Sequence, residues 1–250
     1  MTKKAAIVLL SGGLDSTVCL WWAKSKKYSK FTCLTFEYGS KEESVLKQAA
    51  KKIGELASVD EHTFIMLDFL KDFSKKTGST LAQASSKELP KLTFKQLDDP
   101  LVSRKSAKAV WIPGRNLLFL SIAAAYAETL GNTVDIITGF NLEEGTTFPD
   151  NRKEFIDAFT QTASYGILNA KVRVICPLVG LNKAEIVQLG DKLHVPMHLS
   201  NSCYNPKGFD GSGKPIHCGS CESCLRRKRG FIESSINDLS AYELNSSNSK

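Results

Sequence analysis

The sequence predicts an α/β protein with a doubly wound, mainly parallel sheet and a small cysteine-rich segment near the C-terminus. Short apolar runs alternate with helical patterns along most of the 250 residues, as strands and crossover helices do in such sheets. Four of the seven cysteines fall between residues 203 and 224. We therefore predict an α/β domain over 1–200, a cysteine-rich segment over 201–232 and a disordered Asn- and Ser-rich tail over 239–250.

The predicted elements follow from local patterns along the chain. Apolar and β-branched runs predict strands over 7–10, 31–36, 62–67, 134–138 and 173–176. Helical spacing and capping residues predict helices over 15–23, 45–56, 117–130, 152–164 and 182–193, the last with Asn182 as its N-cap. The pattern weakens over 69–109, where Pro90 and Pro100 interrupt a polar stretch. This stretch indicates a loop-rich insertion, either a mobile cover over a site or a surface loop.

Composition sets limits on the class of protein. A hydrophobic fraction of 42% and a charged fraction of 24% are ordinary for a globular protein. Apolar runs are shorter than a membrane span and the Lys3-Lys4 start lacks a signal-peptide pattern, so we expect a cytoplasmic protein without membrane contact. The net charge of +7 suits anionic ligands such as nucleotides or tRNA, but the same lysines and arginines could form solvated faces.

The stretch 10–17 carries the strongest functional signal. It follows a buried strand and opens a helix, and it consists of Leu10, Ser11, Gly12, Gly13, Leu14, Asp15, Ser16 and Thr17. Backbone N–H groups of such a loop, together with the positive end of the helix dipole, form a concavity suited to phosphate. An ordinary strand-to-helix turn would also accept Gly-Gly. The order Ser-Gly-Gly-x-Asp-Ser favours a phosphate loop, and the sequence lacks the two other common phosphate motifs.

The cysteine spacing predicts a metal site. Two overlapping Cys-x2-Cys units and one distant thiol supply four ligands, namely Cys203, Cys218, Cys221 and Cys224. Four thiolates satisfy tetrahedral zinc and leave no open position, so we expect a structural Zn²⁺. An iron–sulfur cluster and redox cysteines remain alternatives, and His198 or His217 could replace one ligand. Cys19 and Cys33 lie in predicted packed elements and are interpreted as core residues.

Several motifs in order resemble one family. Besides the loop and the cysteines, they comprise Glu37-Tyr38-Gly39, Ile112-Pro113-Gly114-Arg115-Asn116, Thr138-Gly139-Phe140-Asn141, Phe148-Pro149-Asp150 and Pro177-Leu178 with Lys183. Together these motifs resemble the 7-cyano-7-deazaguanine synthase family of the PP-loop ATP pyrophosphatase superfamily, over residue 5 to about 232. The resemblance implies an adenine nucleotide alpha hydrolase-like fold. The sequence departs from the commoner family pattern at Ser40-Lys41-Glu42 and at 143–148.

The resemblance also implies an activity and its residues. The family converts 7-carboxy-7-deazaguanine and ammonia to 7-cyano-7-deazaguanine with ATP and Mg²⁺, in queuosine and archaeosine biosynthesis. Asp15, Lys183 and Arg115 would be catalytic, and residues 10–17 would hold the nucleotide. Binding of the substrate would involve Arg115, Asn116, Gly139, Asn141 and Asp150. We expect no direct nucleic-acid contact, and a homodimer is compatible with the sequence.

Three alternatives remain open from the sequence. A relative could transfer the activated deazaguanine carboxylate to another amine. A tRNA-thiolating or lysidine-forming PP-loop enzyme would activate a base oxygen, although such enzymes usually carry an added RNA-binding domain or reactive cysteines. A zinc-bearing nucleotide sensor would bind ATP without turnover.

Overall fold

A five-stranded parallel sheet organises the chain. The computed structural model describes residues 4–243. Its strands are β1 (Lys4–Leu9), β2 (Lys30–Glu37), β3 (Glu61–Met66), β4 (Asn132–Ile137) and β5 (Ala170–Ile175). Their order across the sheet is β3-β2-β1-β4-β5, so the first strand of the chain is central. Every neighbouring pair is parallel, which confirms the predicted sheet.

Helices cover both faces of this sheet. Within the described part of the chain they are α1 (Leu14–Lys24), α2 (Glu43–Leu56), α3 (Asp68–Thr77), α4 (Pro100–Val110), α5 (Arg115–Leu130), α6 (Leu142–Thr147), α7 (Lys153–Gly166), α8 (Lys183–Lys192) and α9 (Glu222–Ser234). Successive residues of β1 point to opposite faces, so Val8 packs with Ile53 and Ile186 while Ile7 packs with Leu120 and Phe159. The two resulting cores confirm the doubly wound arrangement.

No single helix within residues 4–243 is both long enough and apolar enough to span a membrane. The consecutive helices α4 and α5 satisfy both conditions only when taken together, and they are bent by 57°.

The insertion at 69–109 is more helical than the sequence prediction. It contains most of α3, all but one residue of α4 and a 3-10 turn over Phe94–Asp98. Asp99 caps α4 by accepting hydrogen bonds from Leu101 N at 2.9 Å and Val102 N at 3.2 Å. The prediction of a loop-rich segment was therefore wrong for these two stretches. The polar outer faces of these helices masked an apolar side that includes Leu70 of α3 and Val110 of α4. Both pack in one cluster with Leu81 and Ile112 from the adjoining loops.

The start of the predicted disordered tail is ordered. Strand β7 (Ala241–Tyr242) pairs with β6 (Ile216–His217), and Glu243 N donates to His217 O at 2.8 Å. Disorder was thus the wrong prediction for 239–243, because a two-residue strand leaves no periodic signal. The rest of the predicted tail, 244–250, lies outside the described residues.

Candidate active site

The predicted phosphate loop connects β1 to α1 at the carboxyl edge of the sheet. Gly13 is the N-cap of α1, and its N–H donates to Ser11 Oγ at 3.2 Å. Ser11 Oγ also lies 3.0 Å from Ser16 Oγ, while Thr17 Oγ1 donates to Gly13 O at 2.7 Å. The hydroxyl groups therefore hold the loop in an open turn at a helix N-terminus, the geometry that suits an anion.

Two glycines bring backbone close to this loop. Gly12 has φ +84°, and a Cβ there would lie 2.4 Å from Leu46 O on α2. A Cβ on Gly139 would lie 3.0 Å from both Asp15 C and Ser16 N. Any larger residue at either position would push a neighbouring element away from the loop. Gly139 thus allows close packing against the loop.

Asp15 forms the charged centre of the site. Lys183 Nζ donates to Asp15 Oδ1 at 2.9 Å and to Asp15 Oδ2 at 2.8 Å, and Asn141 Nδ2 donates to Oδ2 at 3.0 Å. Burial disfavours the charged form of Lys183, but the carboxylates of Asp15 and Glu144 outweigh burial and raise its pKa. A buried ammonium group thus lies beside the phosphate loop, although the two residues are 168 positions apart.

The N-cap prediction for the helix that carries Lys183 is confirmed. Asn182 Oδ1 accepts from Glu185 N at 2.9 Å, and Glu185 Oε2 accepts from Asn182 N at 2.8 Å. This capping box fixes the first turn of α8 and thereby the direction of the Lys183 side chain.

Arg115 begins α5 on the opposite side of the site. Its Nε donates to Asn116 Oδ1 at 3.2 Å. Burial acts against its charge, but the neighbouring Tyr38, Asp150 and Glu144 raise the pKa of Arg115. Burial raises the pKa of Asp150, and Arg115 partly offsets that rise. The site therefore holds a second fixed cation, separate from Lys183.

A single cavity of about 290 Å³ joins these groups. Its lining includes most of the predicted site residues, namely Leu10, Ser11, Gly13, Leu14, Asp15, Ser16, Arg115, Asn116, Gly139, Asp150 and Lys183. The other three lie behind the lining: Gly12 packs on α2, while Thr17 and Asn141 are fully buried and bond to the loop itself. The cavity also contains Cys203, so it extends from the loop to the cysteine-rich segment.

Sequence reasoning missed several acidic residues at this cavity. Burial raises the pKa of Glu144, and the nearby Lys183 and Arg115 act against that rise. Burial also raises the pKa of Glu42 to about 7. Glu222 is buried and pairs with Arg226 at 2.8 Å. The only sequence signal for these residues was that 40–42 and 143–148 depart from the commoner family pattern. Whether a polar residue becomes buried depends on tertiary contacts, which the sequence pattern does not show.

Helix α9 contacts the site through an ion network and through close packing. Glu143 Oε1 accepts from Lys183 N at 2.8 Å, and its Oε2 accepts from Arg226 Nη1 and Arg229 Nη2, each at 3.0 Å. A Cβ on Gly230 would lie 2.6 Å from Lys183 Cγ. The backbone of α9 therefore lies directly against the Lys183 side chain. Asn201 N also donates to Gly12 O at 2.9 Å, which ties the start of the cysteine-rich segment to the loop.

The four predicted cysteine ligands converge. Their sulfur atoms all lie within 4.8 Å of one another, and Cys218 Sγ is 3.9 Å from Cys224 Sγ. Ligands at the Zn–S distance of about 2.3 Å in a tetrahedron are roughly 3.8 Å apart, so the set fits one ion. Cys203 Sγ accepts from Asn205 N and Cys218 N, each at 3.2 Å, as expected of thiolates that bind a metal.

His217, Cys19 and Cys33 lie outside the cluster of four sulfur atoms. His217 Nε2 accepts from Ser202 N at 3.1 Å and its Nδ1 lies 3.2 Å from Ala241 O, so both ring nitrogens have backbone partners. His217 is not part of the sulfur cluster. Cys19 and Cys33 are fully buried, and burial raises the pKa of both thiols, which confirms their interpretation as core residues.

The fold and the site together have the arrangement expected of a PP-loop protein: a loop with two adjacent glycines follows the central strand of a parallel sheet and opens a helix, with a lysine–carboxylate pair beside it. Comparison with known proteins gives the family. The profile described as "Queuosine biosynthesis protein QueC" matches residues 5–235, and the chain belongs to this family.

Curated relatives match over nearly the full chain. A 7-cyano-7-deazaguanine synthase from Pyrococcus furiosus is 46% identical over 242 residues, which cover 97% of this chain and 98% of the relative. One from Methanococcus maripaludis is 44% identical over 95% of this chain and 98% of its own. Among solved structures, the U34-tRNA thiolase NcsA from Methanococcus maripaludis with its [4Fe-4S] cluster matches with a TM-score of 0.42 and 17% identity, over 93% of this chain and 66% of that chain.

Proposed function

We propose that this protein converts 7-carboxy-7-deazaguanine and ammonia to 7-cyano-7-deazaguanine with ATP, in the biosynthesis of queuosine or archaeosine. It would be a ligase that forms a C–N bond. The observation that carries the proposal is the single cavity in which the phosphate loop, Lys183 and Arg115 meet, in a chain of this family. Such a cavity can hold a polyphosphate and a carboxylate side by side.

The chemistry requires activation because a carboxylate is a poor electrophile. In the proposed reaction a substrate carboxylate oxygen attacks the α-phosphorus of ATP and pyrophosphate leaves. Ammonia then attacks the carbonyl carbon, the amide forms, and AMP and a proton depart. The amide oxygen then attacks the α-phosphorus of a second ATP and pyrophosphate leaves, and loss of AMP and of both amide protons gives the nitrile. Each step changes charge at oxygen, so fixed cations are the natural catalysts.

The side chains have distinct proposed roles. The loop 10–17 would hold the polyphosphate through backbone N–H groups and hydroxyls. Lys183 would neutralise charge that develops on the phosphorus oxygens. Arg115 would pair with the substrate carboxylate before activation, with Asn116, Asn141, Gly139 and Asp150 completing the pocket around it.

Asp15 and the cysteines fit the proposed metal ions. Asp15 offers carboxylate oxygens at the loop, which Mg²⁺ prefers, and bound Mg²⁺ would neutralise polyphosphate charge. The four convergent sulfur atoms fit a structural Zn²⁺ that closes 203–224 onto the domain.

The direct test is product formation. Purified protein is incubated with Mg-ATP, ammonium and 7-carboxy-7-deazaguanine, and products are identified by mass spectrometry. We expect the nitrile to form, with the amide as an intermediate, and AMP rather than ADP to accumulate. Omission of ATP or ammonium should abolish the nitrile. Consumption of the carboxylate only in the presence of a different amine would contradict the proposal and favour the transfer alternative.

A further inference from the structure

Glu42 is an unusual acidic residue in the cavity. It lies between β2 and α2 and is 5% exposed. Its Oε2 is buried and has no hydrogen-bond partner within residues 4–243, and the same is true of Ser40 Oγ two residues earlier. Both residues line the cavity that contains the phosphate loop and Arg115. A buried carboxylate oxygen without a partner is strongly unfavourable, so a ligand group is its natural complement.

Four other acidic residues of the cavity have partners within the protein. Asp15 pairs with Lys183, Glu222 pairs with Arg226, and Glu143 accepts from Lys183 N. Glu43, the neighbour of Glu42, accepts from the backbone N–H of Gly39 at 2.6 Å. In contrast to these four residues, Glu42 has a buried carboxylate oxygen, Oε2, that has no hydrogen-bond partner within residues 4–243.

A buried acceptor that lines a cavity and has no partner favours a ligand with N–H donors. The proposed substrate is a 2-amino-pyrimidinone fused to a pyrrole ring that bears the reactive carboxylate. Its ring N–H and its exocyclic 2-amino group form two adjacent donors, and these lie on the side away from the carboxylate. Lys183 and Arg115 suit the phosphate and carboxylate groups, which leaves Glu42 Oε2, an acceptor without a hydrogen-bond partner within residues 4–243, for the donor edge.

We propose that Glu42 is a specificity-determining residue that accepts hydrogen bonds from the ring N–H and 2-amino group of the substrate base. The hydroxyl of Ser40 lies at the same end of the cavity and adds a further polar contact. This inference rests on the proposed function. In its role, Glu42 would select a guanine-type ring against rings that lack the 2-amino group, because such rings would leave the carboxylate unsatisfied.

Binding measurements without ATP test this role apart from turnover. The probes are 7-carboxy-7-deazaguanine and the analogue in which hydrogen replaces the 2-amino group, each titrated by calorimetry into wild type and Glu42→Gln. Wild type should prefer the amino compound about 10- to 100-fold, the range expected for a charge-assisted buried hydrogen bond. In Glu42→Gln that preference should fall to within about threefold, through loss of affinity for the amino compound.

Stability separates recognition from a structural role. Because Glu42 Oε2 has no protein partner, Glu42→Gln should leave the Tm of the free protein unchanged or higher. A structural carboxylate would instead show a lower Tm. Glu55→Gln is the matched control, since Glu55 is exposed on α2. It should change neither the Tm nor the preference between the two probes.

Different failures have different meanings. If wild type neither binds nor converts 7-carboxy-7-deazaguanine, the proposed function fails. If wild type converts it but Glu42→Gln keeps the full preference for the 2-amino compound, only the role of Glu42 is overturned. An increase in the KM for ammonium with unchanged base preference would also overturn it, because it would place Glu42 at the ammonia position instead.

Discussion

At the scale of single residues, the Asp15–Lys183 pair combines stability with the proposed chemistry. Both side chains are largely buried, with 17% and 10% exposure. Lys183→Ala should lower the rate of nitrile formation by about 10²- to 10³-fold, because a group that stabilises developing charge is lost. It should also lower the Tm, since Asp15 loses its counter-charge.

The double variant Asp15→Ala, Lys183→Ala distinguishes the two effects. It removes both charges, so the Tm should recover towards the wild-type value while the activity stays absent. Recovery of activity in the double variant would show that Lys183 serves only to balance Asp15. Melting curves and product assays on the same preparations provide the comparison.

Because of His62, the free energy of unfolding should decrease as the pH falls from about 6.5 to about 4. Burial lowers its pKa to about 4, below the value near 6.5 of an unfolded chain. The unfolded chain therefore takes up the proton first, so the contribution of the neutral ring is complete above pH 6.5 and is lost as pH falls towards 4. Denaturant unfolding between pH 7 and 4 should show a shallower decline for His62→Gln than for wild type. Parallel curves would exclude His62 as the source.

Without the family resemblance, site residues could be predicted from sequence only where the pattern is local. Residues 10–17 and the cysteines were predicted because the spacing itself forms the loop and brings together the sulfur atoms. Glu42, Glu143 and Glu144 were missed because β2, α6, α8 and α9 must first assemble before these carboxylates become buried. The pairing of Lys183 with Asp15 likewise depends on α8 packing beside α1.

At the scale of elements, the contact between α9 and α8 should couple the cysteine-rich segment to the proposed nucleotide site. Gly230→Ala would place a Cβ 2.6 Å from Lys183 Cγ, so either α9 or the Lys183 side chain must move. We expect a loss of about 1–3 kcal/mol in the free energy of unfolding. Nitrile formation should fall by at least about tenfold, because a small misplacement of a catalytic cation is costly.

Gly166→Ala is the matched control for this substitution. Gly166 ends α7, and a Cβ there would meet no atom within 4 Å. Its Tm should be unchanged or slightly raised, with wild-type activity. If Gly230→Ala lost stability but kept full activity per folded molecule, α9 would be a support for the fold and not for Lys183.

Element prediction succeeded for the main sheet and for α1, α2, α5, α7 and α8, and it failed for the other helices and for β6 and β7. These five strands and five helices were predicted within a few residues, because their apolar positions follow a regular pattern. Helix α9 was not predicted, although its Phe231 packs in the core. Helices α3 and α4 bury only narrow apolar sides under polar surfaces, and β7 has two residues. Their existence depends on partners distant in sequence, such as β6 for β7.

At the scale of the whole molecule, the proposed metal should affect both folding and nucleotide binding. We expect about one zinc per chain, and loss of zinc and a lower Tm in Cys203→Ser, Cys218→Ser, Cys221→Ser and Cys224→Ser. The affinity for ATP should fall as well, because α9 begins within the cysteine-rich segment and lies against Lys183. Metal analysis, melting curves and nucleotide titration measure the three effects.

The two core cysteines provide controls for the metal experiment. Cys19→Ala and Cys33→Ala should retain zinc, because both side chains are buried against the sheet and lie outside the sulfur cluster. A stable, zinc-replete but inactive Cys203→Ser would contradict a structural role. That result would favour the alternative of a tRNA-thiolating enzyme, in which Cys203 would take part in the reaction.

The central position of β1 has a consequence for synthesis of the chain. On the ribosome β1 can pair with β2 as soon as Glu37 has emerged, but its other edge must wait for β4, which begins at Asn132. At about 5–20 residues per second, this interval lasts roughly 5 to 20 s. During that time an apolar strand edge is open to pairing with another nascent chain. Throughout the translation of 38–131, β1 therefore has one edge without its native partner.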